Sequence, residues 1–593
     1  MEIELTAELL VDAAQLSDVR LAPDGRRAAY VVKKGPRSAV WVNGERFSWG
    51  EGADDQPRWS PDGRTLAFRS DRAGKAQIYL LPAAGGGEAR QLTDEAGGVH
   101  AFAWSPRGDR IAFTAPDPHD PPDPEVAGED PPYHRLRSIA AAGGSLETLF
   151  AEKRHVGAFA WSPDGSDIAF VARSSPEVES GAHPCTVETA RGRTLARLPA
   201  PPGALRWLSA GIFHTGSVAM RPCSSACLYR LDPPVRVAAG DDACLAGLCG
   251  DGPDDLALLI ARGLGTVLCR IDPATGTATT IRAPSFGEGE LRDASVVGEH
   301  WAAVVALPDR PPEVLIDGRS VARHGFADVA WGRQEAFRWK GADGLDLDGV
   351  LTLPPGPVKM PLPLICLVHG GPYGRVTPGV QPGPGAAAWS QWLATSGYAV
   401  LQPNYRGGMG HGEAFAAAAR GRVGREDWQD VITSVDTAVA RSIADPNRLG
   451  IGGWSQGGFM SAWAITQTRR FRGAVIGAGV SDWNSMVMNS DLPSFEAALG
   501  GGRPWDGSGP HAAALISPIS FARAARTPAL ILHGREDARV PVNQAIGFYR
   551  ALRDAGCPAE LVIYPREPHG FRERAHQLDV LRRVRAWYGR CLG

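Results

Sequence analysis

Three residue types that together activate an alcohol occur in this sequence at places where a fold could bring them together. Gly453-Trp454-Ser455-Gln456-Gly457 directly follows the apolar run RLGIGG and directly precedes the helical pattern MSAWAITQTRR. Small residues on both sides of a serine let a tight strand-to-helix turn push its Oγ out of a sheet, so Ser455 is the expected nucleophile. The five-residue pattern alone is cheap; its place between strand and helix gives it weight. A serine hydroxyl is a weak nucleophile at neutral pH, so a base must take its proton and a carboxylate must orient that base. Asp537 in HGREDARVP and His569 in YPREPHGF supply both, each just past an apolar strand, PALILHG and ELVIYP. Loops at strand C-termini are where an open α/β sheet carries its functional groups, and the order Ser, Asp, His suits such a sheet. Glu536 and Glu567 compete as the acid, and His533, His511 and His576 as the base. Glu536 is expected to face solvent, and His533, at the end of its strand, to support the loop of Asp537.

A serine attacking a carbonyl creates an oxyanion that needs hydrogen-bond donors. One is the backbone N–H after the nucleophile, here Gln456, and the other comes from the loop after an earlier strand. His369-Gly370-Gly371-Pro372 follows LPLICLV, and its glycines allow close backbone approach. Gly371 is the expected donor and Gly370 the second choice; the bland alternative is a turn that merely ends a strand. The glycine-rich stretch from Gly407 to Gly412 lacks the Lys-Ser/Thr ending of a phosphate-binding loop and reads as a loop near the site.

The elements that must position these groups alternate apolar strands with helical periodicity from about residue 336 to the end: LPLICLVHGG, AAAWSQWLATSG, YAVLQPNYRGG, REDWQDVITSVDTAVAR and onward. This rhythm predicts a mostly parallel sheet with helices on both faces. The first half differs. LAPDGRRAAYVV, WSPDGRTLAFRS, WSPRGDRIAFTA and WSPDGSDIAFVA are copies of one unit, with turn prolines at 23, 61, 106 and 163. The steps of 38, 45 and 57 reduce to a period of about 40 once the Pro/Asp-rich insertion from Pro116 to Pro132 is removed. In each copy Pro presets φ and Gly allows positive φ in a turn before a short alternating strand such as Leu66-Ala67-Phe68. About 40 residues with several strands is the length of a four-stranded propeller blade. CLYRLDPP, VLCRIDPATGT and EVLIDG keep the rhythm further on and read as three degenerate blades, for about seven in all. The expected division is a helical extension over 1–16, an all-β propeller over 17–335 and the α/β domain over 336–593.

Composition narrows the function. With 593 residues, the chain holds several domains rather than one small module. Gly 72 and Pro 48 make it turn-rich without a collagen period. A net charge of −3 with no sustained basic run excludes the electrostatic footprint of a nucleic-acid or anionic-membrane binder. The 9 cysteines form no CxxC pair, so neither a disulfide scaffold nor a zinc ribbon is indicated, and Cys223/Cys227 and Cys244/Cys249 read as reduced packing residues. The acidic start MEIELTAELLVDAAQL is not a signal peptide, and no run reaches 18 apolar residues, so a cytoplasmic protein is expected.

Propeller-like repeats followed by HGGP, NYRGG, GWSQGG, HGREDARVP and EPHGF resemble the prolyl oligopeptidase family of serine peptidases over nearly the whole chain. The resemblance is closest to its acylaminoacyl-peptidase and aminopeptidase branch, where HGGP is usual. It implies a propeller of about seven blades capping an α/β-hydrolase domain, so that short peptides enter and folded proteins do not. Prolyl endopeptidases carry a tyrosine at the position of His369 whose hydroxyl helps the oxyanion; the histidine here counts against a strict prolyl endopeptidase and leaves that role to backbone N–H groups. By position, Arg539 matches an arginine that grips a substrate carbonyl, and Val480, Trp483 and Met486 match the apolar S1 wall, to which Trp454 could add. The plain readings are a solvated charge and core packing. Anchoring a free α-amino group would favour propeller carboxylates; the insertion's Asp117, Asp120, Asp123, Glu125, Glu129 and Asp130 are the nearest candidates, though a solvated loop is the safer reading. The resemblance thus implies a serine exopeptidase acting on short peptides or on aminoacyl and acyl-aminoacyl amides, with no metal or organic cofactor, no nucleic-acid or membrane partner, and room for a homo-oligomer. The alternatives are an oligopeptide endopeptidase, an esterase or amidase of small non-peptide substrates, and a propeller-based interaction protein with a vestigial hydrolase.

Overall fold

In the computed structural model, which describes residues 3–85, 87–120, 123–124, 132–177, 183–323, 329–381, 383–507 and 512–593, the repeats become blades. Seven four-stranded antiparallel sheets span residues 15–46, 54–91, 101–150, 155–198, 205–238, 244–282 and 290–323, each built from consecutive strands. A Pro-Asp-Gly turn, Pro-Arg-Gly in the third, joins the first and second strands of the first four blades, with Gly25, Gly63, Gly108 and Gly165 all near φ +70°. The aromatic residue that follows in each unit, Tyr30, Phe68, Phe113 and Phe170, is fully buried, as is Phe213 in the fifth blade. Each burial is worth roughly 1.5–3 kcal/mol against leaving the ring in water. The tryptophan that precedes the turn stitches neighbours together. Trp59 Nε1 donates to the Arg20 carbonyl (3.0 Å), Trp104 Nε1 to that of Arg58 (3.1 Å) and Trp161 Nε1 to that of Ala103 (3.2 Å), in each case the innermost strand of the preceding blade. The three later segments also fall on strands, but each forms the third strand of its blade: Ala226–Arg230, Gly265–Ile271 and Glu313–Ile316. Among the described residues, no strand is exchanged between the first and last blades to close the ring. The last blade holds the first through side chains, Ser295 Oγ accepting from Leu21 N (2.8 Å) and Asp293 Oδ2 from Val19 N (3.0 Å).

Ahead of the first blade, Thr6 caps a single short helix, Ala7–Val11, and the chain is already a strand at Gln15. Leu5, Leu10 and Val11 are buried with Trp389, Trp392 and Leu581, and Asp12 pairs with Arg574 (2.6 Å). The extension therefore packs on the C-terminal helix Arg574–Leu592 rather than on the propeller.

The second half is one eight-stranded sheet. Two strands, Arg333–Lys340 and Asp346–Leu353, pair antiparallel at one edge; the latter joins Ala399–Pro403, beyond which Leu362–Val368, Ala444–Trp454, Gly473–Gly477, Ala529–Gly534 and Ala559–Tyr564 run parallel in that order. Alternate residues of Leu362–Val368 enter opposite cores: Leu364, Cys366 and Val368 join one, Ile365 and Leu367 the other. That period of two is what a sheet covered on both faces requires. Among the described residues, no helix is long and apolar enough to cross a membrane.

Candidate active site

Ser455 sits directly after the central strand Ala444–Trp454 and directly before the helix Gln456–Gln467, with φ 61° and ψ −121°. A non-glycine residue there costs of order 1–3 kcal/mol, which the surroundings must hold in place. They do so by backbone crowding that only glycine permits. A Cβ at Gly457 would stand 2.0 Å from the Val368 carbonyl oxygen, and one at Gly453 2.4 Å from the same atom. The Ser455 amide donates to Gly477 O (2.9 Å), and its carbonyl accepts from Phe459 N (2.9 Å). The Gln456 N–H, first of the helix, has no intrahelical acceptor and points with the positive end of the helix dipole.

Asp537 lies just past Ala529–Gly534, and its side chain is fully buried. Its Oδ1 accepts from the amides of Arg539 (3.0 Å) and Val540 (2.9 Å), and its Oδ2 lies 2.7 Å from His569 Nδ1. Burial raises the pKa of this carboxyl, but the hydrogen bonds from His533 and His569 outweigh it and hold the group down at about 2. His533 is buried and shares its Nε2–H between the Val540 carbonyl (2.6 Å) and Asp537 Oδ2 (3.4 Å), which closes the loop around Asp537. Glu536 is exposed. His511 lies outside the described residues, as do Glu125, Glu129 and Asp130 of the insertion.

Glu567 is fully buried but turns into its own loop. It accepts from Arg572 N (2.7 Å), Glu573 N (2.9 Å) and His576 Nδ1 (2.8 Å), while its carbonyl accepts from Glu536 N (3.0 Å). The loop of His569 is thus braced from within and tied to the loop of Asp537. Replacing the buried Glu567 with alanine removes the acceptor of two part-buried amides and a histidine. We expect a loss of about 3 kcal/mol, read as a lower denaturant midpoint, with activity falling alongside.

The loop after Leu362–Val368 brings its glycines to the nucleophile. A Cβ at Gly370 would lie 3.0 Å from the Trp454 carbonyl and 3.3 Å from Ser455 Cβ, and Gly371 takes φ +129°. His369 stacks on Tyr405 (4.4 Å between centroids), and its Nδ1 lies 2.8 Å from the Gly370 carbonyl, which fixes the proton on Nδ1. Burial pulls its pKa down to about 4, so the ring is neutral.

Trp454 and the other apolar candidates part company. Val480, Trp483 and Met486, at 3%, 0% and 1% exposure, pack in the core on one face of the sheet. Trp454 packs against the core on the other face, donating from Nε1 to the His569 carbonyl (3.0 Å) and meeting Phe571 edge-on at 5.2 Å. Arg539 is bound by Asp491 through Nε (2.6 Å) and Nη2 (3.2 Å). Nothing in the sequence singles out Asp491, 48 residues away from its partner. A cavity of about 730 Å³ opens beside His569 and Trp454 and is lined on its far side by Gln15, Lys33 and Pro36 of the first blade, so both halves of the molecule share it. That volume is in the range of ligand sites.

Residues 386–593 match the model of the Prolyl oligopeptidase family, and residues 14–121 that of the TolB beta propeller domain. The uncharacterized peptidase YuxL of Bacillus subtilis is 29% identical over 98% of this chain and 99% of its own length. The acylamino-acid-releasing enzyme of Sus scrofa is 27% identical over 55% of this chain, and that of Arabidopsis thaliana 32% over 38%. The chain spans less than half the length of those two relatives, 47% and 30%. The acylaminoacyl peptidase of Pyrococcus horikoshii superposes with a TM-score of 0.83 over 100% of this chain and 98% of its own, at 21% identity, a likeness of fold. The chain thus carries a prolyl oligopeptidase family domain over residues 386–593, behind a propeller whose first blades match the TolB beta propeller domain.

Proposed function

We propose that the protein is a serine exopeptidase that hydrolyses short peptides or aminoacyl and acyl-aminoacyl amides through an acyl-enzyme. The observation that carries this reading is the 2.7 Å contact between His569 Nδ1 and Asp537 Oδ2, on the same sheet edge as the strained Ser455 elbow. Ser455 Oγ attacks the substrate carbonyl while His569 Nε2 takes its proton. Asp537, ionised at any pH well above 2, accepts from Nδ1–H and stabilises the imidazolium. The N–H groups of Gln456 and Gly371 receive the oxyanion. His369 has spent its one proton on the Gly370 carbonyl and lends none to the oxyanion, which supports backbone donation. His569 then protonates the leaving amine, for which the cavity beside it offers room, and a water attacks the acyl-enzyme by the reverse path. Arg539 keeps Nη1 free of its pairing with Asp491, enough for one substrate carbonyl. Relatives named for both blocked and free amino termini support an exopeptidase, among them the acylamino-acid-releasing enzymes and the Dipeptidyl aminopeptidase BIII of Pseudoxanthomonas mexicana, 30% identical over 42% of this chain.

The test is a side-by-side kcat/KM series of aminoacyl anilides, their acetylated forms, dipeptidyl anilides and an internally cleavable peptide blocked at both ends. One of the first three classes should exceed the blocked peptide by about tenfold or more. Cleavage confined to the blocked peptide, or to esters alone, would contradict the proposal.

A further inference from the structure

The loop that carries the proposed oxyanion donor is fastened to the propeller rather than to its own domain alone. Within four residues of Gly371 it sends two side chains across the domain boundary. The Tyr373 hydroxyl accepts from Ala226 N of the fifth blade at 2.6 Å. Arg375 goes deeper. Its Nη1 donates to the carbonyls of Gly263 and Gly265 (both 2.8 Å), at the turn between the second and third strands of the sixth blade. Its Nη2 donates to Thr266 Oγ1 and to Glu290 Oε1 on the first strand of the seventh blade, 2.6 Å in the latter case. Thr266 also donates to Glu290, so the three side chains form one knot, with Arg375 at 8% and Glu290 at 4% side-chain exposure.

An ion pair buried this fully is a poor source of stability, since desolvation offsets most of the attraction; what it fixes well is geometry. The segment it fixes is rich in glycine and is tied to its own domain at its ends, by Tyr405 at His369 (2.8 Å) and by Asn404 at Val376 (2.7 Å). Gly370, Gly371 and Gly374 leave the backbone unusually free, and oxyanion stabilisation depends on an N–H held within a few tenths of an ångström. Inside the hydrolase half, the segment from 370 to 375 is held by few bonds, Gly374 N to the Pro372 carbonyl (2.7 Å) and Met409 N to that of Gly374 (2.9 Å) among them.

We infer that Arg375 is a positioning residue for the reaction: by clamping the Gly370–Gly371 loop onto the sixth and seventh blades, it makes the oxyanion site depend on the propeller being seated. This rests on the proposed role of the Gly371 amide. The propeller then does more than screen substrates, because an unseated propeller leaves the nucleophile without one of its two oxyanion donors.

The test compares wild type with Arg375→Ala and with Glu290→Gln, which keeps the shape of the knot's propeller side while removing its charge. Rates are taken per active site titrated in the full-length protein. Loss of one oxyanion donor costs about 10²–10³-fold in kcat, and partial misplacement less. Arg375→Ala should lower kcat about 10–100-fold with KM little changed, and weaken a peptidyl aldehyde, whose adduct oxygen occupies the oxyanion site, by a similar factor. The matching peptide alcohol, which forms no adduct, should bind as before. Glu290→Gln should act in the same direction, and the double variant should be no worse than the arginine variant. If both single variants keep kcat and aldehyde affinity within about twofold of wild type, or if aldehyde and alcohol weaken equally, Arg375 is a structural clasp only and the inference fails. Should the variants behave as expected while Gly371 proves dispensable to a wild type that hydrolyses by Ser455, the inference fails at its premise; a wild type with no hydrolase activity overturns the reading of the site and this inference together.

Discussion

Ser455→Ala should abolish turnover, by about 10⁶-fold where a serine nucleophile works with its histidine as a unit, and should leave the fold as it is. The second half of that expectation comes from the elbow itself. Both bonds that hold Ser455, to Gly477 and from Phe459, are made by its backbone, and its hydroxyl forms no capping bond to the helix it precedes. Alanine keeps the same Cβ in the same strained conformation, so stability should change by no more than about 0.5 kcal/mol, as for a substitution that removes no buried partner. Matched denaturant midpoints with lost anilide hydrolysis are the expected result. An alanine variant with residual turnover near that of wild type would remove Ser455 from the chemistry.

Asp537→Asn should cost about 10⁴-fold in kcat for a reason written in its hydrogen bonds. Oδ1 accepts from the amides of Arg539 and Val540, so the oxygen of an asparagine must stay there. The amide nitrogen then takes the place of Oδ2 and presents protons to His569 Nδ1, which becomes an acceptor. The remaining proton moves to Nε2, where it blocks acceptance from Ser455. The same substitution has a signature in acid. With its pKa lowered from 3.8 to about 2 in the folded state, Asp537 adds stability that is fully present above pH 4 and fades as pH falls toward 2, about 2 kcal/mol in all. The asparagine variant should lack that part of the acid slope in a denaturant series between pH 5 and pH 2.5. An unchanged slope would mean that the carboxyl is not held down as described.

What could be read in advance follows from the range of the interactions involved. The first four blades were legible because they repeat their turn chemistry, with a tryptophan in three of them that bonds to the preceding blade, and the last three only through a strand-and-turn rhythm that falls on their third strands. The elbow, Asp537 and His569 were legible because each lies within a few residues of an apolar strand that sets its position. Glu567 was visible only as a rival acid; its three donors come from residues five to nine positions on, in a loop with no periodicity to betray it. Trp454 adjoins the nucleophile in sequence, yet alternation along a strand sends its ring to the opposite face from Val480, Trp483 and Met486. The clasp of Arg375 on Glu290 spans 85 residues and two domains, and no local pattern specifies it. The N-terminal extension is likewise shorter as a helix than its apolar pattern suggests, because the chain joins the first blade from Gln15.

The central claim is that Ser455 is an alcohol activated by His569 and Asp537. A fluorophosphonate probe reports this directly, since it captures only a serine with an adjacent base and oxyanion donors. Incubating the full-length protein with such a probe and mapping the adduct by tandem mass spectrometry should give one equivalent, on Ser455, with labelling suppressed in His569→Ala. An adduct on another residue, or labelling of Ser455 at the wild-type rate without His569, would contradict the account.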